Sequence, residues 1–243
     1  MDLVAALEAD GIVSVVGAGG KKSTLYALAD RIDRAVVTAT VRIPIFDAQV
    51  ASVAVTDDPV GAVERAAPED WPLGLVPARE REDRYRGYEP AAVEAVAATG
   101  VPDAVLVKAD GARMRLLKAP GEREPRIPPA TDTVVPVASA HVVGKPLTDE
   151  HVHRVDRVAA VSGRSRGERL EAADVGSVLA SEAGGLKGVP EGATVVPLIN
   201  MVDDPALAAV GREIASAALA RSDVPRVVLA TLIAEDPLVE VLT

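Results

Sequence analysis

Residues Val15-Val-Gly-Ala-Gly-Gly-Lys-Lys-Ser-Thr24 join an apolar run to a segment of helical spacing, and they hold the groups that grip a phosphate. Four small residues in succession, Gly17, Ala18, Gly19 and Gly20, let backbone N–H groups converge on an anion. Lys21 or Lys22 supplies a mobile cation to the outer phosphates. The Ser23 or Thr24 hydroxyl, at a helix start, suits Mg²⁺. The spacing departs from the standard phosphate loop, because Gly17 stands only four residues before Lys21 and five before Lys22. If Lys22 is the phosphate lysine, Lys21 takes the place of a glycine. If Lys21 is, Lys22 takes the place of the hydroxyl. The dinucleotide pattern G-x-G-x-x-G fails outright, since its third glycine would be Lys22.

Phosphate chemistry needs a carboxylate nearby. Val105-Leu-Val-Lys-Ala-Asp110 is an apolar strand that delivers Asp110 at its end, followed by Gly111. Asp110 is the expected catalytic or metal-side carboxylate, sharing Mg²⁺ with Ser23. Strand alternation puts Lys108 on the same side as Asp110, where the two can pair or Lys108 can serve as a second phosphate contact. Asn200-Met-Val-Asp203 is similar to the N-K-x-D box that reads guanine, with Met201 in place of its Lys; a helix cap ahead of Pro205 explains the same residues. Asn200 and Asp203 are therefore expected at the base, with ATP and GTP both open.

The elements that must position these groups alternate. Strands are expected at 11–16, 35–39, 52–56, 73–76, 104–109, 133–138, 158–161, 194–199 and 227–232, with helices at 21–31, 59–67, 90–99, 170–183 and 205–220. Arg79 to Glu89, where Arg79, Arg81, Arg84 and Arg86 alternate with Glu80, Glu82 and Asp83, is expected as a charged surface loop, with anion binding by its arginines as the alternative. The alternation predicts an α/β fold with a mostly parallel central sheet, and the glycine loop makes it a three-layer P-loop NTPase-like fold forming a single domain over 1–243.

Composition narrows the chemistry. The 243 residues include no cysteine, which excludes a disulfide scaffold, a zinc ribbon, a thiolate-held cluster and a cysteine nucleophile. A formal charge of −10 and only five aromatic residues argue against nucleic-acid binding and against an anionic membrane surface. Six lysines against twenty arginines, with abundant Asp and Glu, fit a high-salt interior or a GC-rich coding sequence. The acidic start Met1-Asp2-Leu3 lacks the basic opening of a secretory signal, and 133–144 is too short to span a bilayer, so a cytoplasmic location is expected. His151 and His153, two apart, suit a strand face better than a metal-binding helix pair.

Several segments together resemble the YqeC family: Val-Val-Gly-Ala-Gly-Gly-Lys (15–21), Leu-Tyr-Ala-Leu-Ala (25–29), Ala-Asp-Gly-Ala (109–112), Leu-Lys-Ala-Pro-Gly (117–121) and Glu-Pro (124–125). Gly144-Lys-Pro-Leu147, Val152-His-Arg154 and Asn200 to Asp203 extend the likeness. The resemblance implies a nucleotide-binding accessory protein in selenium cofactor biosynthesis for selenium-dependent molybdenum hydroxylases, with that hydroxylase or its maturation proteins as partners. It also brings Lys118 and Glu124 into the site, Lys118 as a catalytic group. The chain departs from the family at Lys108, where Glu is usual, at Lys22, where Thr is usual, and at Arg123, where His is frequent. Without a thiol, it cannot itself carry selenium as a persulfide-like adduct. Three functions follow as expectations: nucleotide hydrolysis in cofactor maturation, nucleotide sensing by an assembly factor that turns over slowly or not at all, and phosphorylation of a small molecule.

Overall fold

The computed structural model describes residues 1–243. A one-turn helix α1 (Leu3–Ala6) leads into β1 (Gly11–Gly17), α2 (Lys21–Ala29), β2 (Ala35–Ala39), β3 (Ile43–Pro44), β4 (Ser52–Val55) and α3 (Pro59–Glu64). Next come β5 (Leu73–Val76), β6 (Ala78–Arg81), β7 (Arg84–Arg86), α4 (Pro90–Ala98), β8 (Ala104–Lys108), β9 (Leu117–Lys118) and β10 (Thr133–Ser139). The chain ends with β11 (Val152–His153), α5 (Val155–Ser162), α6 (Ala172–Leu179), β12 (Thr194–Val195), β13 (Leu198–Asn200), α7 (Pro205–Leu219), β14 (Val227–Ala230) and β15 (Leu238–Leu242).

The central sheet runs in the order β15-β14-β13-β10-β1-β8-β2-β5-β4, with β12 also beside β10. Every pairing in it is parallel except that of β14 with β15. Continuous apolar strands such as Ile12–Val16 and Ala104–Val107 are buried on both faces, as parallel strands must be. Val13 and Val15 pack with Leu25 and Leu28 of α2, while Ile12, Val36 and Val105 pack on the opposite face with Val63 of α3 and Val93 of α4. Helices α5, α6 and α7 cover the same opposite face at the β10–β13–β14 end. The result is an α/β protein with a mostly parallel sheet and helices on both faces.

Topology places the site. From β1 the chain crosses to β2 on one side, and from β10 it moves to β13 on the other. The direction therefore reverses between β1 and β10, a switch point beside which open α/β sheets bind ligands, and the loops after β1, β2 and β8 open next to it.

Several expected boundaries shift for identifiable reasons. Residues 158–161 are not a strand but lie within α5. Val155 and Val158 are three apart and both buried, and Gly163 closes the helix in the left-handed region. The expected loop at 79–89 is instead the β6–β7 hairpin, which joins β3 in a small antiparallel sheet around buried Tyr85. The strand expected at 194–199 divides at Pro197, which has no N–H for the ladder, into β12 and β13. The helix at 170–183 shortens to Ala172–Leu179. Leu238–Leu242 adds an antiparallel edge strand whose half-buried pattern gave little signal.

Candidate anion-binding cleft

The glycine loop is shaped by close approach. Gly17 (φ 89°), Gly19 (φ 80°) and Gly20 (φ 150°) all have positive φ. A Cβ on Gly17 would sit 2.4 Å from the Val137 carbonyl, and one on Gly20 2.2 Å from the Asn200 amide nitrogen. Three loop amides are used internally. Gly17 N–H donates to Asp110 Oδ2 (3.0 Å), Ala18 N–H to Val137 O (2.9 Å) and Gly19 N–H to Arg115 O (2.9 Å). The loop is thereby stitched to β10 and to the chain beyond β8. Past it, Lys21, Lys22 and Ser23 form the first turn of α2, where helical N–H groups lack carbonyl partners and the helix dipole is positive.

Beneath the loop lies a buried charge network. Asp110 is only 1% exposed, and Lys21 and Lys118 are 6% and 3% exposed. Lys21 Nζ lies 3.0 Å from Asp110 Oδ1 and also donates to Gly17 O. Lys118 Nζ lies 2.8 Å from Asp110 Oδ2 and 2.6 Å from Glu124 Oε2, and donates to Gly111 O. Arg154 Nη1 completes the set at 2.7 Å from Glu124 Oε2. Burial lowers the Lys21 ammonium, against the pull of Asp110. Burial alone would raise Glu124, but hydrogen bonds and charge from Arg154 and Lys118 hold it down at about 2. Burial, with Arg154 and Lys118 close by, lowers His153 to about 4.

Three of the expected site residues, Lys21, Asp110 and Lys118, are thus in one contact network, with Glu124 beside them. A family model described as YqeC protein matches residues 13–156, a span holding the glycine loop and every member of this network. The chain is also 30% identical over 193 residues to the "Uncharacterized protein YqeC" of Escherichia coli (strain K12), covering 78% of this chain and 75% of that one. The chain belongs to the YqeC family. The YqeC match runs from β1 into α5 and leaves out Asn200 and Asp203.

Those two residues sit apart from the opening. Asn200 is buried, donating from Nδ2 to Gly19 O (2.9 Å) and accepting at Oδ1 from Leu232 N–H (3.2 Å), so its amide braces the loop. Asp203 is partnered by His141 (3.3 Å). The cap of α7 is neither of them but Asp204, which accepts from Leu207 N–H at 2.8 Å. Thr24 is buried, with its hydroxyl on Gly20 O (3.2 Å), whereas Ser23 faces the open cleft. Lys108 does not pair with the Asp110 carboxylate. It is 7% exposed and donates to the backbone carbonyls of Arg42 and Asp110, both at 2.8 Å. Thr38 and Thr40 are spent on the carbonyls of Leu75 and Arg126.

The cleft itself measures about 700 Å³. Gly19, Gly20 and the first turn of α2 form its floor, and Pro44, Ile45 and the β6–β7 tip form one wall. The other wall is the turn at 111–116, where Arg115 N–H donates to Ala112 O (3.0 Å) and both Arg113 (φ 50°) and Met114 (φ 62°) are left-handed. Such a conformation costs a side-chain-bearing residue roughly 1 kcal/mol. Seven cations line the cleft, Lys21, Lys22, Arg42, Arg84, Lys108, Arg113 and Arg115, against the two acids Glu82 and Asp83. Of the rim arginines, Arg84 had an anion-binding role as the alternative to a solvated loop, while Arg42, Arg113 and Arg115 escaped sequence reading. Adjacency to Asp110-Gly111 was the only signal for Arg113 and Arg115, and Arg42 and Arg84 reach the cleft through the small sheet.

The donor set does not fit a resident metal ion. No three His, Cys, Asp or Glu side chains are grouped to hold one, and both Asp110 oxygens face lysine ammonium groups. No helix is long and apolar enough to cross a membrane.

Proposed function

We propose that this YqeC-family protein binds a nucleoside phosphate, ATP or GTP, in the cleft above the glycine loop. One observation carries the reading. A protein of formal charge −10 gathers seven cations and a helix N-terminus around one cleft of about 700 Å³, a size that suits a nucleotide. The strand order supports a P-loop NTPase-like arrangement, because the glycine-loop strand β1 lies directly beside β8, the strand that leads to Asp110. In this reading the α2 amides and Lys22 take phosphate oxygens, and Lys21 joins them by exchanging Gly17 O for the ligand. Ser23, the hydroxyl on the first turn of α2 that lines the cleft, would be the protein ligand for a Mg²⁺ carried by the phosphates, where the ion would offset their charge.

The cellular role rests on the family resemblance: an accessory protein, in the cytoplasm, in maturing the cofactor of a selenium-dependent molybdenum hydroxylase. Without a thiol, the chain acts there through nucleotide binding and not as the selenium carrier.

A second reading, a nucleotide-sensing assembly factor with little or no turnover, is favoured by the state of Asp110. Its carboxylate is closed between Lys21 and Lys118, which leaves it poorly placed to activate water. Titration with ATP and GTP, with and without Mg²⁺, combined with phosphate release, separates the two. Saturable binding with release that falls in Asp110→Asn is expected of an NTPase, and binding without release of an assembly factor. If neither nucleotide binds, nucleotide binding itself is refuted.

A further inference from the structure

The buried charges around Asp110 do not balance. Lys21 and Lys118 share Asp110, and Lys118 and Arg154 share Glu124, so those three cations each have a carboxylate. Lys108 has none. An ammonium group carries three N–H donors, and the carbonyls of Arg42 and Asp110 accept only two from Lys108. Its third donor has no acceptor in the protein, and the side chain borders the cleft. A buried cation left this way is expensive unless an anion arrives to meet it.

Three further cations on the same cleft lack a carboxylate partner, and one of them, Arg115, gives its guanidinium only to the carbonyls of Asp149 and Arg113. Lys22 stands on the first turn of α2, and Arg113 stands on the left-handed turn opposite. By contrast, Arg42 is held by Glu80 and Arg84 lies against Asp83. Lys22, Lys108, Arg113 and Arg115, none of them paired with a carboxylate, therefore come from three separate elements: the helix start, the end of β8 and the turn after it. A phosphate monoester has three terminal oxygens and about two negative charges. It would be fully used by the α2 amides and one lysine, leaving the other walls unanswered.

We propose that Lys108 is a phosphate contact, and that the cleft selects ligands with two or more linked phosphates, nucleoside di- or triphosphates over monophosphates. The inference rests on the nucleoside-phosphate reading but makes a separate claim about how many phosphates the site requires. Lys108 and Arg113 meet the outer phosphates, while Lys22 and the α2 amides hold the one nearest the helix.

The test is calorimetric titration of the full chain with AMP, ADP, ATP and the guanine equivalents, plus orthophosphate and pyrophosphate. Lys108→Gln and Lys108→Arg are titrated alongside the wild type, after melting curves establish that each is folded. The expected result is triphosphate binding at least about tenfold tighter than monophosphate in the wild type. Lys108→Gln loses about tenfold for ATP or GTP with monophosphate binding within twofold, and Lys108→Arg keeps most of the triphosphate affinity. Equal affinity for mono- and triphosphate in the wild type overturns the proposal, and needs no variant. So does a folded Lys108→Gln that binds triphosphate as the wild type does. Pyrophosphate binding without nucleotide binding would refute the nucleoside reading and leave the Lys108 contact standing. Absence of binding by every phosphate compound would refute both.

Discussion

Replacing Lys108 by Met should change the pH dependence of stability in a way that isolates one buried cation. Burial, aided by Lys21, lowers the Lys108 ammonium to about 7, whereas an unfolded lysine titrates near 10.4. Between those values the unfolded chain holds a proton that the folded protein has released. Stability should therefore rise with pH across this window, by up to about 1.4 kcal/mol per pH unit and about 5 kcal/mol in all. Below pH 7 the full cost of burying the cation is present; above about 10.4 it is gone. Met fills a similar volume and carries no charge, so the variant lacks this rise. It also strands the Arg42 and Asp110 carbonyls, at roughly 1–3 kcal/mol each, but that loss does not depend on pH. Lys21, whose ammonium burial also lowers, contributes a rise of the same sign in both proteins, so the difference between them keeps its sign. Urea denaturation of both proteins from pH 6 to pH 10 gives the difference directly. The variant should compare best at pH 6 and lose ground steadily as pH rises. Two stability curves that run parallel would refute the claim that Lys108 is buried without a counter-charge.

Other expectations follow from the same geometry. Gly20→Ala should lose about 2–4 kcal/mol in a urea melt, because its Cβ would lie 2.2 Å from the Asn200 amide and φ there is 150°. Asn200→Ala should destabilise by a similar amount, roughly 2–4 kcal/mol, by stranding Gly19 O and Leu232 N–H, yet leave the ratio of ATP to GTP affinity unchanged in a binding titration. Acid should weaken the fold in two stages. His153 gives up stability as pH falls from about 6.5 to about 4, because only the unfolded chain takes up the proton, and Glu124 does so from about 4.5 to about 2. A pH series of thermal melts should show the second stage vanish in Glu124→Gln. Lys22→Ala should weaken nucleotide binding and flatten its salt dependence without moving the melting temperature, since Lys22 makes no ion pair in the protein.

The parts legible in the sequence were those whose signal is local. The run from Val13 to Val16, the glycine cluster and Lys21 are contiguous, so strand, loop and helix could be read together. Asp110 stood out because four apolar strand positions precede it within six residues. What escaped was non-local or locally misleading. Val158 to Val161 has β-branched residues that suit a strand, yet their tertiary partners lie on a helix face. Alternating Arg and Glu at 79–86 looked like a solvated loop, since only Tyr85 in the hairpin is buried. Lys108 was expected on the Asp110 carboxylate because strand alternation put them on one side, and that much holds. The carboxylate was already committed to Lys118, at a distance in sequence that alternation cannot sense.

Asn200 shows how a buried polar side chain can brace the glycine loop from within the protein. Sequence alone suggested a base-reading side chain or a helix cap. The amide instead joins Gly19 O to Leu232 N–H, linking the loop after β1 to the segment after β14. Gly20 has to be glycine because the Asn200 amide nitrogen would lie 2.2 Å from any Cβ there, and the chain can reach φ 150° only without one. Such a brace matters for an anion site. Backbone amides stabilise charge only when held in position before the ligand arrives, since reorganising them would consume part of the binding energy. The same logic explains why three loop amides are spent on Asp110, Val137 and Arg115: they fix the loop, and the free helix-start amides beyond it inherit a defined direction. In the proposed nucleotide complex the lining residues available to the base are Pro44, Ile45, Glu82, Asp83, the Arg113–Met114 turn and Met201, whereas the Asn200 and Asp203 side chains are held by partners within the protein.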